Sequence, residues 1–211
     1  MKPECRNSSP SGHRPSVLAL TGNPGAGKTT AAEFLKELGA RVLSGDALGY
    51  ILLQVDSPVY AELVREFGAS ICEPDGTISR AKLGQLVFSS PECLQTLNQL
   101  VHPHIKQVIR EEIDHFKQSG DSGPFVVDAA LIYEWGIAEW FDKVIVVTAP
   151  LEIRKRRFNA LRSGAGSLFE QREAAQIPQE VKEQQADMVI HNDSDPQHLR
   201  KQLVQIFKES L

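Results

Sequence analysis

The segment Gly22-Asn23-Pro24-Gly25-Ala26-Gly27-Lys28-Thr29 follows directly on the apolar run Val17-Leu18-Ala19-Leu20. It constrains the chain more than any other feature. The octet fits the phosphate-loop pattern G-x-x-x-x-G-K-[ST], and it sits where such a loop must sit, between a buried strand and a helix. The strand ends at Thr21, and the glycines let the backbone turn its N–H groups inward around a phosphate. A helix then starts near Lys28, with Phe34, Leu35 and Leu38 on its apolar face and Gly39 at its end. Its N-terminus adds about half a positive charge toward the same anion. In such a loop Lys28 reaches the β- and γ-phosphates, and the Thr29 hydroxyl ligates Mg²⁺. The residues expected around the phosphates are Asn23, Pro24, Gly25, Ala26, Gly27, Lys28, Thr29 and Thr30. The pattern implies a bound nucleoside triphosphate.

The 211 residues suit one domain with a full core. A net charge of −4 lacks the basic surface of a general nucleic-acid binder. No apolar stretch approaches the roughly 20 residues that a membrane helix needs. Cys5, Cys72 and Cys93 are odd in number and without metal-like spacing, so they read as free thiols of a reducing, cytoplasmic setting. Residues 1–16 hold three prolines, four serines and almost nothing apolar, and are expected to form a flexible arm. Pro3, Pro10 and Pro15 break the amphipathic helix that a transit peptide would require.

Further along, Arg41–Ser44 reads as a second strand and Ala47–Gln54 as a helix. Pro58–Phe67 is a helix that Ser57 can cap and Gly68 ends, and Ser79 caps another carrying Leu83, Leu86 and Val87. From Pro91 to Phe116 apolar residues recur in steps of three or four, and Pro103 is expected to interrupt or kink this long helix. Residues 47–117 are therefore nearly all helical, more than one crossover needs, which suggests a region that holds a substrate. Strands are expected at Pro124–Asp128, Lys143–Val147 and Ala186–Ile190, and helices at Leu151–Leu161 and Pro196–Phe207. Ser163–Ser167 reads as a hinge or loop. Five strands with intervening helices predict an α/β parallel sheet with ligands at the strands' carboxyl ends.

Several residues admit two readings at this level. Asp46, just past the second strand, could accept a proton from an attacking hydroxyl or could cap the helix that follows. Asp128 ends an apolar strand as a Mg²⁺-holding carboxylate does, or caps the turn at Leu131–Glu134. Glu134 fits the site or a solvated helix face. Of Arg154, Lys155, Arg156 and Arg157, at most two can face a nucleotide. Asn192 could meet an adenine edge or serve as a turn residue. His102 reads as a kink residue, and with His104 it has no metal-like partners. The absence of an N-K-x-D tetrapeptide argues against a GTPase, leaving a small-molecule kinase as the natural class.

Taken together, the motifs resemble the dephospho-CoA kinase family. The matching pieces are the loop at Gly22–Thr29, Ser44-Gly45-Asp46, Leu83–Phe88, His102-Pro103-His104-Ile105, Asp128–Glu134, Arg172 with Gln176, and Ala186–Asn192. The resemblance implies a P-loop NTPase-type three-layer α/β fold. Its five-stranded parallel sheet would carry helices on both faces, a helical substrate-binding insertion at 47–117 and a small lid at 163–177. It implies phosphoryl transfer from ATP, with Mg²⁺, to the ribose 3′-hydroxyl of dephospho-CoA, and Asp46 as the catalytic aspartate. Thr29 and Asp128 would hold the metal, and Asn192 would lie at the adenine. Arg157, Arg162 and Arg172 flank or lie in the lid, and Arg162, just before the glycine-containing hinge, is the best candidate to close over the triphosphate. The expected partners are these small molecules, with no nucleic acid and no membrane.

Two departures stand out. The family usually has an aspartate where Ser44 stands and a proline where Ala130 stands, so one negative charge near the metal is lost and a turn is expected to loosen. The alternatives are another small-molecule kinase of this architecture and a nucleotide-sensing regulator that has lost turnover.

Overall fold

A computed structural model describes residues 16–160 and 166–209. Residues 1–15 of the expected N-terminal arm, Arg162 and residues 163–165 of the expected lid lie outside the described residues, whereas Ser16, the last residue of that arm, accepts a hydrogen bond from Phe125 N at 2.9 Å.

In chain order the elements are β1 (Val17–Thr21), α1 (Lys28–Glu37), β2 (Arg41–Ser44), α2 (Gly45–Ile51), α3 (Tyr60–Phe67), α4 (Arg80–Ser89) and α5 (Pro91–Ser119). There follow β3 (Phe125–Asp128), β4 (Lys143–Thr148), α6 (Leu151–Ala160), α7 (Gly166–Ala174), α8 (Gln179–Gln185), β5 (Met188–His191) and α9 (Pro196–Lys208). The strands form one parallel sheet in the order β2-β3-β1-β4-β5. Because successive side chains on a strand point to opposite faces, the apolar strands build two cores. Leu18, Leu20, Val126, Ile145 and Val147 pack with Leu35 of α1 and Leu199 and Leu203 of α9. Val17, Ala19, Phe125, Val127 and Val144 pack with α2–α5, where Phe116 stacks on Phe125 at 5.0 Å. The result is the three-layer α/β fold expected from the sequence.

The helix boundaries carry several corrections. α3 starts at Tyr60 with no side-chain cap, because the Ser57 hydroxyl accepts from Val59 N (3.2 Å) and holds Ser57–Val59 in a turn. α5 runs unbroken for 29 residues through Pro103. The proline removes one hydrogen bond, but Val101, Ile105, Ile109 and Ile113 bury one face along the sheet. Gly166 and Ser167, expected to belong to a hinge or loop, begin α7, and α8 was not foreseen.

The parallel register sets the functional edge. Leu20 of β1 and Ser44 of β2 are both level with Asp128 of β3, so all three chains reach their carboxyl ends together. The chain leaves β1 toward β2 on one side and later toward β4 and β5 on the other, and the loop after β1 emerges at that switch of direction.

Candidate active site

The phosphate loop is shaped by glycines and then pinned from outside. Gly25 (φ +75°) and Gly27 (φ +99°) adopt left-handed backbone, and neither has room for a side chain. A Cβ on Gly25 would lie 2.1 Å from the Arg154 carbonyl oxygen, and one on Gly27 equally close to the Asn192 amide nitrogen. The Asn192 amide donates to the Ala26 carbonyl at 2.8 Å, and Arg157 Nη1 donates to the Asn192 carbonyl at 2.8 Å. The Ala26 N–H closes the turn on the Asn23 carbonyl at 3.2 Å. A cavity of about 530 Å³ beside the loop is lined by Gly25, Gly27, Thr29, Thr30, Arg157 and Asn192.

The Asn23 side chain points the other way. It is fully buried, and its amide donates to the Ile177 carbonyl (3.3 Å) and Glu173 Oε1 (3.4 Å). Any contact of Asn23 with a phosphate is therefore through its backbone. Pro24 offers its carbonyl to Arg154 Nη1 at 3.4 Å. Arg154 in turn holds Glu173 in a two-pronged ion pair at 2.6 and 2.8 Å, with its own side chain 4% exposed. Of the four-residue basic run, Arg154 thus turns inward beneath the loop, Arg157 braces Asn192, and Lys155 pairs with Glu170.

At the carboxyl edge Lys28, Asp46 and Asp128 lie within electrostatic reach of one another. Lys28 Nζ donates to the Gly22 carbonyl at 2.9 Å. Burial lowers the pKa of Lys28, while the charges of Asp128 and Asp46 act against that shift. Burial lifts Asp128 to about 6; the Lys28 ammonium opposes this and the Asp46 charge adds to it. Asp128 Oδ1 is buried without a hydrogen-bond partner, and among the described residues no N–H of the turn after β3 donates to either carboxylate oxygen, so Asp128 does not cap that turn. Asp46 does not cap α2 either. Ser44 takes that position, its hydroxyl accepting from Ala47 N at 3.3 Å, which leaves the Asp46 carboxylate facing a cavity of about 340 Å³. Leu83, Val87, His102 and Arg172 line the same cavity.

Sequence reasoning missed the bracing behind β3. Lys182 of α8 is completely buried and donates to Glu134 Oε1 (2.9 Å), the Ala130 carbonyl (2.9 Å) and Gln176 Oε1 (3.2 Å). Burial pulls its pKa down and Glu134 resists that shift. Glu134 also accepts from Ile177 N at 2.8 Å, so it is neither a solvated helix residue nor in contact with the cavity of Asp46. The Thr21 hydroxyl is a second donor to the Ala130 carbonyl at 3.2 Å, so the turn that lacks the family's proline is held from two sides. A lone lysine in a polar helix carries no signature. Only the nearness of Lys182 to Gln176, already singled out, pointed toward it. His102 packs edge-on against Trp135 (5.4 Å between ring centres), a contact that sequence could not supply.

Comparison with known proteins places this geometry. The family model for dephospho-CoA kinase matches residues 16–198. The chain is 37% identical over 194 residues to a dephospho-CoA kinase of Aquifex aeolicus, covering 91% of this chain and 96% of that one. It is 35% identical to one of Anaeromyxobacter dehalogenans, covering 87% and 86%. Among solved structures, the dephospho-CoA kinase of Campylobacter jejuni superimposes with a TM-score of 0.67 at 25% identity, over 92% of this chain and 96% of that one. A shikimate kinase of Bacteroides thetaiotaomicron shares the fold at a TM-score of 0.53 and 14% identity, covering 92% and 97%. The phosphate loop, the Asp46 cavity beside it and the match along the full sheet lead to one conclusion: the chain belongs to the dephospho-CoA kinase family.

Proposed function

We propose that the protein transfers the γ-phosphoryl group of ATP to the ribose 3′-hydroxyl of dephospho-CoA, giving CoA and ADP. Family membership supports the choice of acceptor. The observation that carries the chemistry is the convergence of Lys28, Asp46 and Asp128 at one sheet edge, with Asp46 freed from helix capping. The backbone of Asn23, Pro24, Gly25, Ala26, Gly27, Lys28, Thr29 and Thr30 encloses the phosphates, and the cavity bounded by Arg157 and Asn192 receives the adenosine of ATP. Asp46 orients the acceptor hydroxyl and takes its proton as the oxygen attacks the γ-phosphorus. Lys28 neutralises charge on the phosphoryl oxygens and follows them toward the leaving ADP. Arg162 and the segment 163–177 form the lid over ATP, and residues 47–117 hold the acceptor.

A divalent metal suits this edge. Asp128 presents a buried oxygen without a partner, and Thr29 is exposed where the loop meets α1. Mg²⁺ bound there through Thr29 and Asp128 would screen the charge of the β- and γ-phosphate oxygens. A cytoplasmic setting fits the free thiols of Cys72 and Cys93, and among the described residues no helix is long and apolar enough to cross a membrane.

The test is ADP release with ATP and Mg²⁺ against a panel of dephospho-CoA, adenosine, AMP and gluconate. Selective turnover of dephospho-CoA is the expected result. Preference for another acceptor would reassign the helical cavity, and ATP binding without turnover of any acceptor would favour a regulator.

A further inference from the structure

The cavity that contains Asp46 measures about 340 Å³, at the small end of the range for ligand sites, and suits a nucleoside. Dephospho-CoA continues from its ribose through a diphosphate into a long pantetheine arm. The remainder of the acceptor must therefore leave this cavity, and two openings adjoin it. One, of about 780 Å³ between α5 and α7, shares Val87, Leu94, Asn98 and His102 with it. The other, of about 540 Å³ between α4 and α7, shares Arg80, Gly84, Phe88 and Arg172.

Charge separates the two. Among the described residues, Lys106 is the one lysine or arginine lining the larger opening. His102 beside it is held neutral at pH 7, because burial lowers its pKa to about 4. The smaller opening has two guanidinium groups at its junction with the acceptor cavity. Arg80 is the first residue of α4, whose N-terminus Ser79 caps, so the positive end of that helix adds to its charge. Its guanidinium lies over the Tyr50 ring at 5.8 Å and, among the described residues, makes no hydrogen bond or ion pair. Arg172 lies over Phe88 at 5.5 Å and Phe158 at 5.9 Å. Stacking of this kind engages the flat face of a guanidinium, so the in-plane N–H donors of Arg80 are placed to match phosphate oxygens two at a time, with the Arg172 charge beside them. The Asp46 carboxylate shares the cavity but belongs to the opposite role, toward the ribose hydroxyl.

We infer that Arg80 and Arg172 form the subsite for the acceptor's diphosphate, and that the pantetheine arm leaves between α4 and α7 past Gln85 and Gln171. The inference rests on the reading of dephospho-CoA as acceptor. It makes Arg80 a specificity determinant, since a nucleoside lacking the diphosphate gains nothing from it.

Initial-rate kinetics of the full chain test this with Arg80→Ala, Arg80→Lys and Lys106→Ala. A charge-assisted contact of about 1.5–3 kcal/mol corresponds to a rise of about 10- to 100-fold in KM for dephospho-CoA in Arg80→Ala. Arg80→Lys recovers part of it, KM for ATP stays within about twofold, and Lys106→Ala behaves as wild type. An unchanged KM for dephospho-CoA in Arg80→Ala overturns the inference. So does an equal or larger effect in Lys106→Ala, which would send the arm through the other opening, and so does a loss in Arg80→Ala that falls equally on ATP. Wild type that turns over other acceptors but not dephospho-CoA would instead overturn the functional reading on which the inference stands.

Discussion

The two halves of the active site are built on opposite plans. At the nucleotide end, the phosphate loop is held by long-range polar contacts. The Ala26 carbonyl is fixed by Asn192, the Pro24 carbonyl by Arg154 and the Asn23 amide by Ile177 and Glu173. At the acceptor end, the cavity under α2, α4 and α5 is lined mainly by apolar side chains such as Leu53, Leu83, Val87, Leu94 and Val101. The polar contacts of these helices are mostly local caps, such as those of Ser44 and Ser79. Tyr50, Ile51 and Val55 nearby are more than half exposed. The difference follows from the ligands. A triphosphate has the same shape and charge in every turnover, so a preorganised cradle stabilises its transition state without reorganising. The acceptor is what distinguishes kinases that share this fold, and it is met by shape and a few charges on a region with fewer fixed polar contacts.

The contrast breaks most severely at Gly25. An alanine there meets the Arg154 backbone in a left-handed conformation, and should cost about 2–5 kcal/mol in denaturant unfolding together with most ATP affinity. On the acceptor side, Gly49 sits inside α2, where an added Cβ would meet only the Ile105 side chain, at 4.0 Å. Gly49→Ala should be neutral or stabilise by about 0.5–1 kcal/mol. Comparable losses at both positions would remove the distinction.

Glu173→Gln comes next. It leaves the Arg154 guanidinium buried beneath the loop without its counter-charge, since the Glu173 side chain is 25% exposed and that of Arg154 4%. A loss of about 2–3 kcal/mol in unfolding free energy is expected, with KM for ATP raised more than KM for the acceptor. An effect on the acceptor alone would assign Glu173 to the wrong half.

A smaller effect sharpens the comparison through pH. His102 faces the acceptor cavity, packs on Trp135 and has Lys106 and Glu134 as charged neighbours. Its folded pKa of about 4 lies below the ordinary histidine value of about 6.5, so the unfolded chain binds more protons between those values. Its contribution to stability is complete above about pH 6.5 and is lost as pH falls toward 4. Asp128 acts with the opposite sign. Its folded pKa of about 6 lies above the ordinary aspartate value of about 3.9, so its share of stability is present at low pH and is lost as pH rises through 6. Denaturation midpoints of wild type and His102→Gln at pH 7.5 and 5 isolate the histidine, and the variant should lose less stability on acidification. Parallel pH profiles would contradict it.

What the sequence disclosed divides along the same line. The phosphate loop was legible because its eight residues are contiguous and their glycines answer a local geometric demand. The strands were legible because full burial in a parallel sheet requires continuous apolar runs, as in Val144–Val147. The role of Asp46 was open until Ser44, two residues earlier, proved to be the cap, which also gives Ser44 a use of its own where the family usually has an aspartate. The braces could not be read. Asn23 meets Ile177 across 154 positions and Asn192 meets Ala26 across 166, and nothing in the local sequence of any partner announces the other. Arg154 lay hidden in a run of four basic residues, and Lys182 on a short helix without apolar periodicity. Arg162 lies outside the described residues.

Asp46→Asn gives the most direct test, because it removes a carboxylate from the acceptor cavity while leaving the nucleotide cradle intact. We expect kcat with dephospho-CoA to fall by about 10²- to 10⁴-fold while ATP affinity, measured by equilibrium titration, stays within about twofold of wild type. Turnover near that of wild type would contradict the account, as would a loss of ATP binding that matches the loss of rate.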